Sequence, residues 1–387
     1  MGIQDLNPFL NETMHRSRTR EIPLRNFFGQ PIAVDFYGLA CSYFKVANKV
    51  VAGYTDVGSV DIDREAVLQK WYYLILDFVC ILLSHGVTPV LVADGEHLPE
   101  KNKTKEKRRQ SKVKDGKEID NLKSELRNSS PFDRDPKKIT RLRQLLSRCN
   151  YVTRDEIQHI LDLFAGIGIP VLQAQHDGEQ LCASMAKEGL VSAVYSEDTD
   201  NLVYGCPLLI NSTGDSYYIE EENRSYRKAT CVLLEDVLEE LGWDQETFVD
   251  FCITLGCDFN ERIKGLGPKT AHKLIQEHGS IDNYPKKYNL TSLNYERCRE
   301  IFQHVPPFQV IEGDELPITT ETLQIDKTLL FTQGEEILVE YSADNYSRRL
   351  KNLYGSLPEK AIGKLPTFPK RRIIRLKKHV QEDNISD

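Results

Sequence analysis

Pro31-Ile32-Ala33-Val34-Asp35 and Val87-Thr88-Pro89-Val90-Leu91-Val92-Ala93-Asp94 decide the fold class. Both are short apolar runs rich in β-branched residues that end on an aspartate, the pattern of strands buried on both faces of a parallel sheet. Ser192 to Asp198 (SAVYSED) ends in the same way. Between these runs, Gly38 to Val50, Arg64 to Ser84, Arg154 to Gly166 and Glu179 to Glu188 carry apolar residues at three- and four-residue spacing and read as helices. Alternating strands and helices predict an α/β fold with a mostly parallel central sheet flanked by helices. Ligands of such sheets bind beyond the carboxyl ends of the strands, and Asp35, Asp94, Asp198 and Asp200 would all project there.

The rest of the chain narrows the function. Its 387 residues allow two or three domains, or one large domain with insertions, and can bury a core without disulfides. A composition of 40% hydrophobic and 28% charged residues excludes collagen-like, mucin-like and wholly disordered chains. The nine Cys stand at irregular positions with no CxxC pair and partner His, which argues against a zinc ribbon or a secreted disulfide framework and for a reducing, intracellular compartment. The start, Met1-Gly2-Ile3-Gln4, has no apolar signal core. The most apolar stretch, Trp71 to Leu83, carries Asp77 and is short for a bilayer span, so it reads as a buried helix and no membrane partner is expected.

The net charge of -8 hides a segregation of sign. From Pro99 to Arg148, 17 Lys or Arg face 8 Asp or Glu, with few large apolar residues before Ile139, so this segment reads as basic helix outside the core. Lys101, Lys105, Arg108 and Lys112 would share one helix face. Asp244 to Gly256 reads as another helix, and Gly265-Leu266-Gly267-Pro268-Lys269-Thr270 as a tight turn into the next helix N-terminus, whose free amides suit a phosphate. Residues 280–330 give no clear assignment. The tail Lys370 to Lys378 is basic and suits either an address signal, compatible with the nucleus, or a nucleic-acid contact.

The chemistry lies in seven carboxylates: Asp35, Asp94, the pair Asp177 and Glu179, the pair Asp198 and Asp200, and Asp258. Sharing one crevice would raise their pKa values through mutual repulsion, a penalty that divalent cations remove. No Cys or His is interleaved with the paired acids, so the donors are hard oxygens and the expected ion is Mg²⁺, with Mn²⁺ as substitute. Carboxylate-rich sites holding two ions about 4 Å apart suit in-line displacement at phosphorus. Phosphodiester hydrolysis is the expected reaction.

These stretches together resemble the flap endonucleases and their XPG-type, structure-specific 5′ nuclease relatives: Met1-Gly2-Ile3-Gln4-Asp5-Leu6, Ile32 to Asp35, Val92-Ala93-Asp94-Gly95, the Asp177/Glu179 pair, Glu197-Asp198-Thr199-Asp200, Leu255-Gly256-Cys257-Asp258 and Gly265 to Lys269, in order from residue 1 to about 280. The resemblance implies an N-terminal nuclease region (1–98), a basic helical arch (99–150), an internal nuclease region with a helix-two-turn-helix (151–280) and a C-terminal extension with the basic tail (281–387). It implies that the seven acids hold the metal ions, Asp177 standing where the family usually has Glu, and that Lys101 and Arg108 neutralise the scissile phosphate. It places duplex contacts at Gly2, Gly256, Gly265, Gly267, Lys269 and Thr270, with K⁺ at the helix-two-turn-helix, and it implies a DNA substrate with 5′ flaps or branches. A 5′ exonuclease, a junction resolvase or a catalytically silent DNA-binding scaffold would carry the same framework. Cys41 stands where the family commonly has a base-stacking aromatic, leaving Tyr37 or Tyr43 to substitute, and the family's C-terminal sliding-clamp box is missing, so clamp recruitment is not expected.

Overall fold

The computed structural model describes residues 2–14, 19–54, 61–149, 151–219, 224–303 and 305–357. The first half runs α1 (Leu6–Thr13), β1 (Arg20–Pro23), β2 (Pro31–Asp35), α2 (Phe36–Tyr54), α3 (Arg64–Ser84), β3 (Thr88–Ala93), α4 (Asn102–Arg127), α5 (Pro136–Cys149), α6 (Arg154–Gly166) and β4 (Val171–Gln173). Then follow α7 (Gly178–Lys187), β5 (Val194–Tyr195), α8 (Asp200–Val203), β6 (Leu208–Ile219), β7 (Arg224–Leu233), α9 (Leu234–Leu241), α10 (Gln245–Leu255) and α11 (Pro268–His278). The C-terminal part holds α12 (Tyr295–Phe302), β8 (Phe308–Ile311), β9 (Asp314–Pro317), α13 (Lys327–Thr332), α14 (Gly334–Glu340) and α15 (Ser347–Ser356).

Seven strands form the main sheet in the order β1-β7-β6-β5-β2-β3-β4. From β6 to β4 the neighbours are parallel, as the alternation predicted. The sheet then continues past β6 through two antiparallel strands, β7 and β1, that the sequence pattern did not show. Side chains alternate across it. Ile32 and Val34 of β2 and Leu91 and Ala93 of β3 enter the core shared with α2, α3 and α6, while Ala33, Val90 and Val92 enter the core shared with α7, α10 and α11. Burial on both faces explains why these strands read as unbroken apolar runs.

Local signals fix the helix starts. The Asp63 carboxylate accepts from the Ala66 amide at 3.1 Å ahead of α3, and Thr153 and Glu156 make a reciprocal capping box ahead of α6. At 21 residues α3 is long and apolar enough by composition to cross a bilayer. In the fold Trp71, Ile75, Leu76, Phe78, Val79 and Leu82 of α3 are buried in the core. Its outer side is covered by the C-terminal helices, where Tyr346 Oη donates to Tyr73 O at 3.3 Å and Arg349 pairs with Asp77 at 2.7 Å, while Tyr354 Oη ties the last helix to the end of α6 by donating to Ile167 O at 2.8 Å. Tyr341 stacks on His159 with ring centroids 4.2 Å apart.

The basic segment forms a helical hairpin of α4 and α5. It stays outside the two main cores, as expected from sequence, but has a small cluster of its own in which Ile119 and Leu126 bury against Leu142 and Leu145. The basic tail from Lys370 lies outside the described residues.

Candidate active site

The acids gather where the parallel strands end. Asp35 closes β2 and is 4% exposed. Its Oδ1 accepts from the Gly38 amide at 3.2 Å and its Oδ2 from Ser196 Oγ at 2.9 Å, while the same Ser196 oxygen accepts from the Asp198 amide at 3.0 Å. Asp94 follows β3 and takes the Gly178 amide, at the N-terminus of α7, at 2.8 Å. Asp177 is the residue before α7 and Glu179 lies in its first turn. Asp198 and Asp200 flank the start of α8, where the Asp200 amide donates to Asp198 Oδ1 at 3.3 Å. Asp258 follows α10. Strand ends and helix starts therefore supply all of the carboxylates but Asp258, which follows the C-terminus of α10, and the helix N-termini favour the negative charge of those beside them.

Asp35, Asp94, Asp177, Glu179, Asp198 and Asp258 line one cavity of about 680 Å³, together with Lys101 and Arg108. Asp200 is buried beneath it, within electrostatic reach of Asp198, Glu179 and Asp258. Two of the acids are held by cations: Lys101 pairs with Asp177 at 2.8 Å and Arg108 of α4 with Asp258 at 2.9 Å. Thr104 Oγ1 adds a 3.2 Å bond to the Asp258 carbonyl and ties the same helix to this loop. Among the described residues no group of three or more His, Cys, Asp or Glu is drawn together at metal-ligand geometry.

The electrostatics follow from crowding. Burial, then the charge of Asp94, pushes the Asp35 carboxyl up to about 7. Glu179 and Asp200 are driven well above the usual carboxylate range by burial and next by Asp198. Asp94, which opens onto the cavity, is raised by lost solvation at the concave wall. Burial alone would lower Lys101, but Asp177 and Glu179 hold it above an ordinary lysine. In the absence of added cations the cluster favours protons.

The residues expected at the DNA divide into two places. Gly2 lies against the acids, where a Cβ would sit 1.9 Å from Asp198 Oδ1. The Gly256 carbonyl, after α10, accepts from the Gln4 amide at 2.9 Å and so fastens the N-terminal segment there. Gly265, Gly267, Lys269 and Thr270 are outside the cavity lining, in the turn and first residues of α11. Gly265 has φ +83°, which the turn needs and a side chain resists. Lys269 is exposed and reaches Glu12 of α1 at 3.1 Å.

Sequence reasoning missed the Ser196 bridge, because a serine between strand and acids carries no pattern of its own. It also missed Lys45 of α2 and Arg154 of α6, which line the cavity but read in sequence as ordinary solvated helix faces. Tyr37 is 40% exposed and lines the cavity with Cys41, whereas Tyr43 packs edge-on against Phe78.

The XPG N-terminal domain matches residues 1–115 and the XPG I-region matches residues 168–258, which between them hold all seven acids. Flap endonuclease 1 of Lodderomyces elongisporus is 32% identical over 289 residues, 74% of this chain and 68% of that protein. The chain belongs to the XPG-type flap endonuclease family. Another relative, flap endonuclease 1 of Meyerozyma guilliermondii, is 29% identical over 364 residues, covering 91% of this chain and 89% of its own length. The fold agrees with solved structures: flap endonuclease-1 from Methanococcus jannaschii has a TM-score of 0.56 at 24% identity, over 87% of this chain and 96% of that one. The catalytic core of Rad2 in complex with DNA substrate has a TM-score of 0.55 at 17% identity, over 91% and 100%. As a member of this family the protein is a structure-specific 5′ nuclease, a phosphodiesterase acting on DNA, from a family of metal-dependent enzymes.

Proposed function

We propose that the protein is a Mg²⁺-dependent endonuclease, with Mn²⁺ able to substitute, that cuts flapped or branched DNA near the junction of single and double strand and leaves 5′-phosphate and 3′-hydroxyl ends. The observation that carries this reading is the meeting of acids from five separate strand and helix ends with two cations at one cavity. The donor set suits hard divalent ions: all oxygen, crowded enough to raise its own pKa values, and with Asp177 Oδ2 and Asp200 Oδ1 buried without a hydrogen-bond partner among the described residues. Asp35, Asp94, Asp177, Glu179, Asp198, Asp200 and Asp258 would hold the ions. Two such ions, when bound, supply water activation and neutralise charge on the reacting phosphate.

The chain's own residues do the rest. Ser196 and the Gly38 amide fix the Asp35 carboxylate so that its orientation is set before substrate arrives. Lys101 and Arg108, which hold Asp177 and Asp258, turn to the scissile phosphate and stabilise the charge that grows there. The shorter Asp177 side chain is compatible with this because Lys101 reaches it directly. Tyr37, at the cavity wall, serves as the stacking aromatic that Cys41 cannot be. The turn from α10 to α11 grips the duplex backbone through Lys269 and Thr270 with K⁺ alongside, and the α4–α5 hairpin acts as the arch over the free 5′ strand.

Product mapping on labelled flap, nicked, bubble and four-way-junction DNA in Mg²⁺ tests the reading. Cuts confined to the flap junction support it, and stepwise 5′ trimming or paired symmetric cuts in the four-way junction point to an exonuclease or a resolvase instead. Asp200→Ala should abolish cleavage while leaving duplex affinity and folding intact, since it removes a buried carboxyl whose Oδ1 has no hydrogen-bond partner among the described residues. Undiminished cleavage by that variant would reject the metal assignment.

A further inference from the structure

We propose that Arg297 of α12 is a positioning residue for strand cleavage: it holds Glu100 at the foot of the α4–α5 hairpin and so sets where the next residue, Lys101, delivers its charge. The proposal rests on the assignment of Lys101 to the scissile phosphate above and deepens it. Arg297 lies in the C-terminal extension, outside both segments that match the family's domains. Its Nε donates to Glu100 Oε1 at 2.7 Å, and its Nη1 to Glu300 Oε2, one turn further along α12, at 2.9 Å.

The chain leaving β3 reaches α4 through the 3₁₀ turn Pro99–Lys101. Pro99 has no polar side chain and Lys101 is the group to be placed, so of the three residues Glu100 alone can tie the turn to the body of the protein by a side-chain hydrogen bond. Its side chain is 18% exposed, Oε2 is buried with no hydrogen-bond partner among the described residues, and the bond from Arg297 holds the carboxyl below the usual range. A carboxylate with one oxygen out of water depends on its cationic partner more than a solvated one does.

The anchor itself is well held. Arg299 grips the buried Asp250 of α10 through two nitrogens, at 2.7 and 2.6 Å. The Ile301 carbonyl accepts from Gln180 Nε2 of α7 at 3.2 Å, and Cys298, Ile301 and Phe302 are buried. Since α7 carries Glu179 and α10 leads into Asp258, α12 ties the foot of the hairpin to the helices that place the acids. The same helix supports the Lys101 side chain. Phe302 packs edge-on against Phe259 with ring centroids 5.5 Å apart, and the Lys101 ammonium lies 5.1 Å from the centre of the Phe259 ring while pairing with Asp177 at 2.8 Å. Lysine carries its charge on a flexible four-carbon stem, so a fixed backbone below it and a fixed ring beside it give the ammonium one position.

Arg297→Gln, Glu100→Gln, Lys101→Ala and the Arg297→Gln/Lys101→Ala double variant are compared with wild type on a 5′-flap DNA in Mg²⁺. A shift of about 1 Å costs up to about 10²-fold, and a loosened turn still visits the productive place, so kcat should fall about 10-fold in Arg297→Gln and in Glu100→Gln with KM little changed. In the Lys101→Ala background Arg297→Gln should cost nothing further, since residues that act through one another are not additive. The exchanged pair, Glu100→Arg with Arg297→Glu, should regain most of the loss. The melting midpoint of Arg297→Gln should stay at the wild-type value, because a half-exposed ion pair adds little stability. Wild-type kcat in Arg297→Gln, or a loss that multiplies with that of Lys101→Ala, would overturn the inference. So would a rise in KM with a shallower salt dependence, which marks a direct phosphate anchor, and a lowered melting midpoint with the rate recovered on cooling, which marks a folding defect. Full-rate cleavage by Lys101→Ala would instead remove the role given to Lys101 in the proposed function, and the inference with it.

Discussion

Gly2→Ala adds one methyl carbon and should cost the enzyme far more rate than stability. At φ +85° a side chain at this position is strained, by about 1–2 kcal/mol. The new carbon would also stand 1.9 Å from Asp198 Oδ1 and 2.5 Å from Asp200 Oδ1. Ordinary contact lies near 3.5 Å, so the nearer oxygen is about 1.5 Å too close. Two responses are open: the N-terminal segment lifts and gives up the bond from the Gln4 amide to the Gly256 carbonyl, or the two carboxylates turn away from the cavity. Asp200 is buried and its amide donates to the Asp198 carboxylate, so neither moves alone. A misplacement of about 1 Å at a reacting centre costs about 10²-fold in rate, and that is the fall expected in single-turnover cleavage of a 5′ flap. Melting should drop by about the backbone term alone. Gly53→Ala is the matched control, since a Cβ there meets nothing within 4 Å. A Gly2→Ala enzyme that cleaves at the wild-type rate across Mg²⁺ concentrations would refute the packing of the N-terminal backbone on the acids.

Arg108→Ala should lower kcat by about 10²–10³-fold, the range for a lost transition-state contact, while flap affinity changes far less; if affinity alone fell, Arg108 would be a simple phosphate anchor. The acids give the metal-free protein a pH signature. The folded-state value of Asp35, about 7, lies above its ordinary 3.8, so between those values the folded protein keeps a proton that the unfolded chain has lost, and stability declines as pH rises from about 4 to about 7. Glu179 and Asp200 shift in the same direction and add to the decline. Melting in chelator at pH 5 and pH 8 reads this, with Mg²⁺ raising the midpoint more at pH 8; a higher chelator midpoint at pH 8 would contradict it. Tyr354→Phe leaves the buried Ile167 carbonyl without its 2.8 Å donor and should cost about 1–2 kcal/mol in denaturant unfolding. An unchanged midpoint would show that water or another donor replaces the tyrosine.

The parts legible in the sequence were those where one local signal governs. Arg64–Ser84 and Arg154–Gly166 are helices with the expected ends because Asp63 and Thr153 cap them. The strands ending at Asp35 and before Asp94 are legible because burial on both faces leaves no polar interruption. The β6–β7 pair was hidden by the opposite circumstance: β6 contains Asn211, Ser212, Thr213 and Gly214, turn-type residues that sit at register shifts where alternation breaks. Strand β4, with three residues, is too short for any period. At the site the acids could be found because their spacing repeats a family pattern, whereas Lys45 and Arg154 gain meaning only when α2 and α6 are brought to one cavity.

The strand order has a bearing on how the chain is made. Among the described residues Arg20–Pro23 pairs with β7, some two hundred residues further along the chain, and the outer side of α3 is covered by residues from Ser342 to α15. On the ribosome, the apolar α3 emerges early and must wait for residues 342–356 before it is shielded. Chains stalled in that interval offer chaperones and proteases a long greasy helix. Nascent protein therefore closes its core only once α15 has been made, and termination before Ser347 should yield material for degradation rather than a smaller working nuclease.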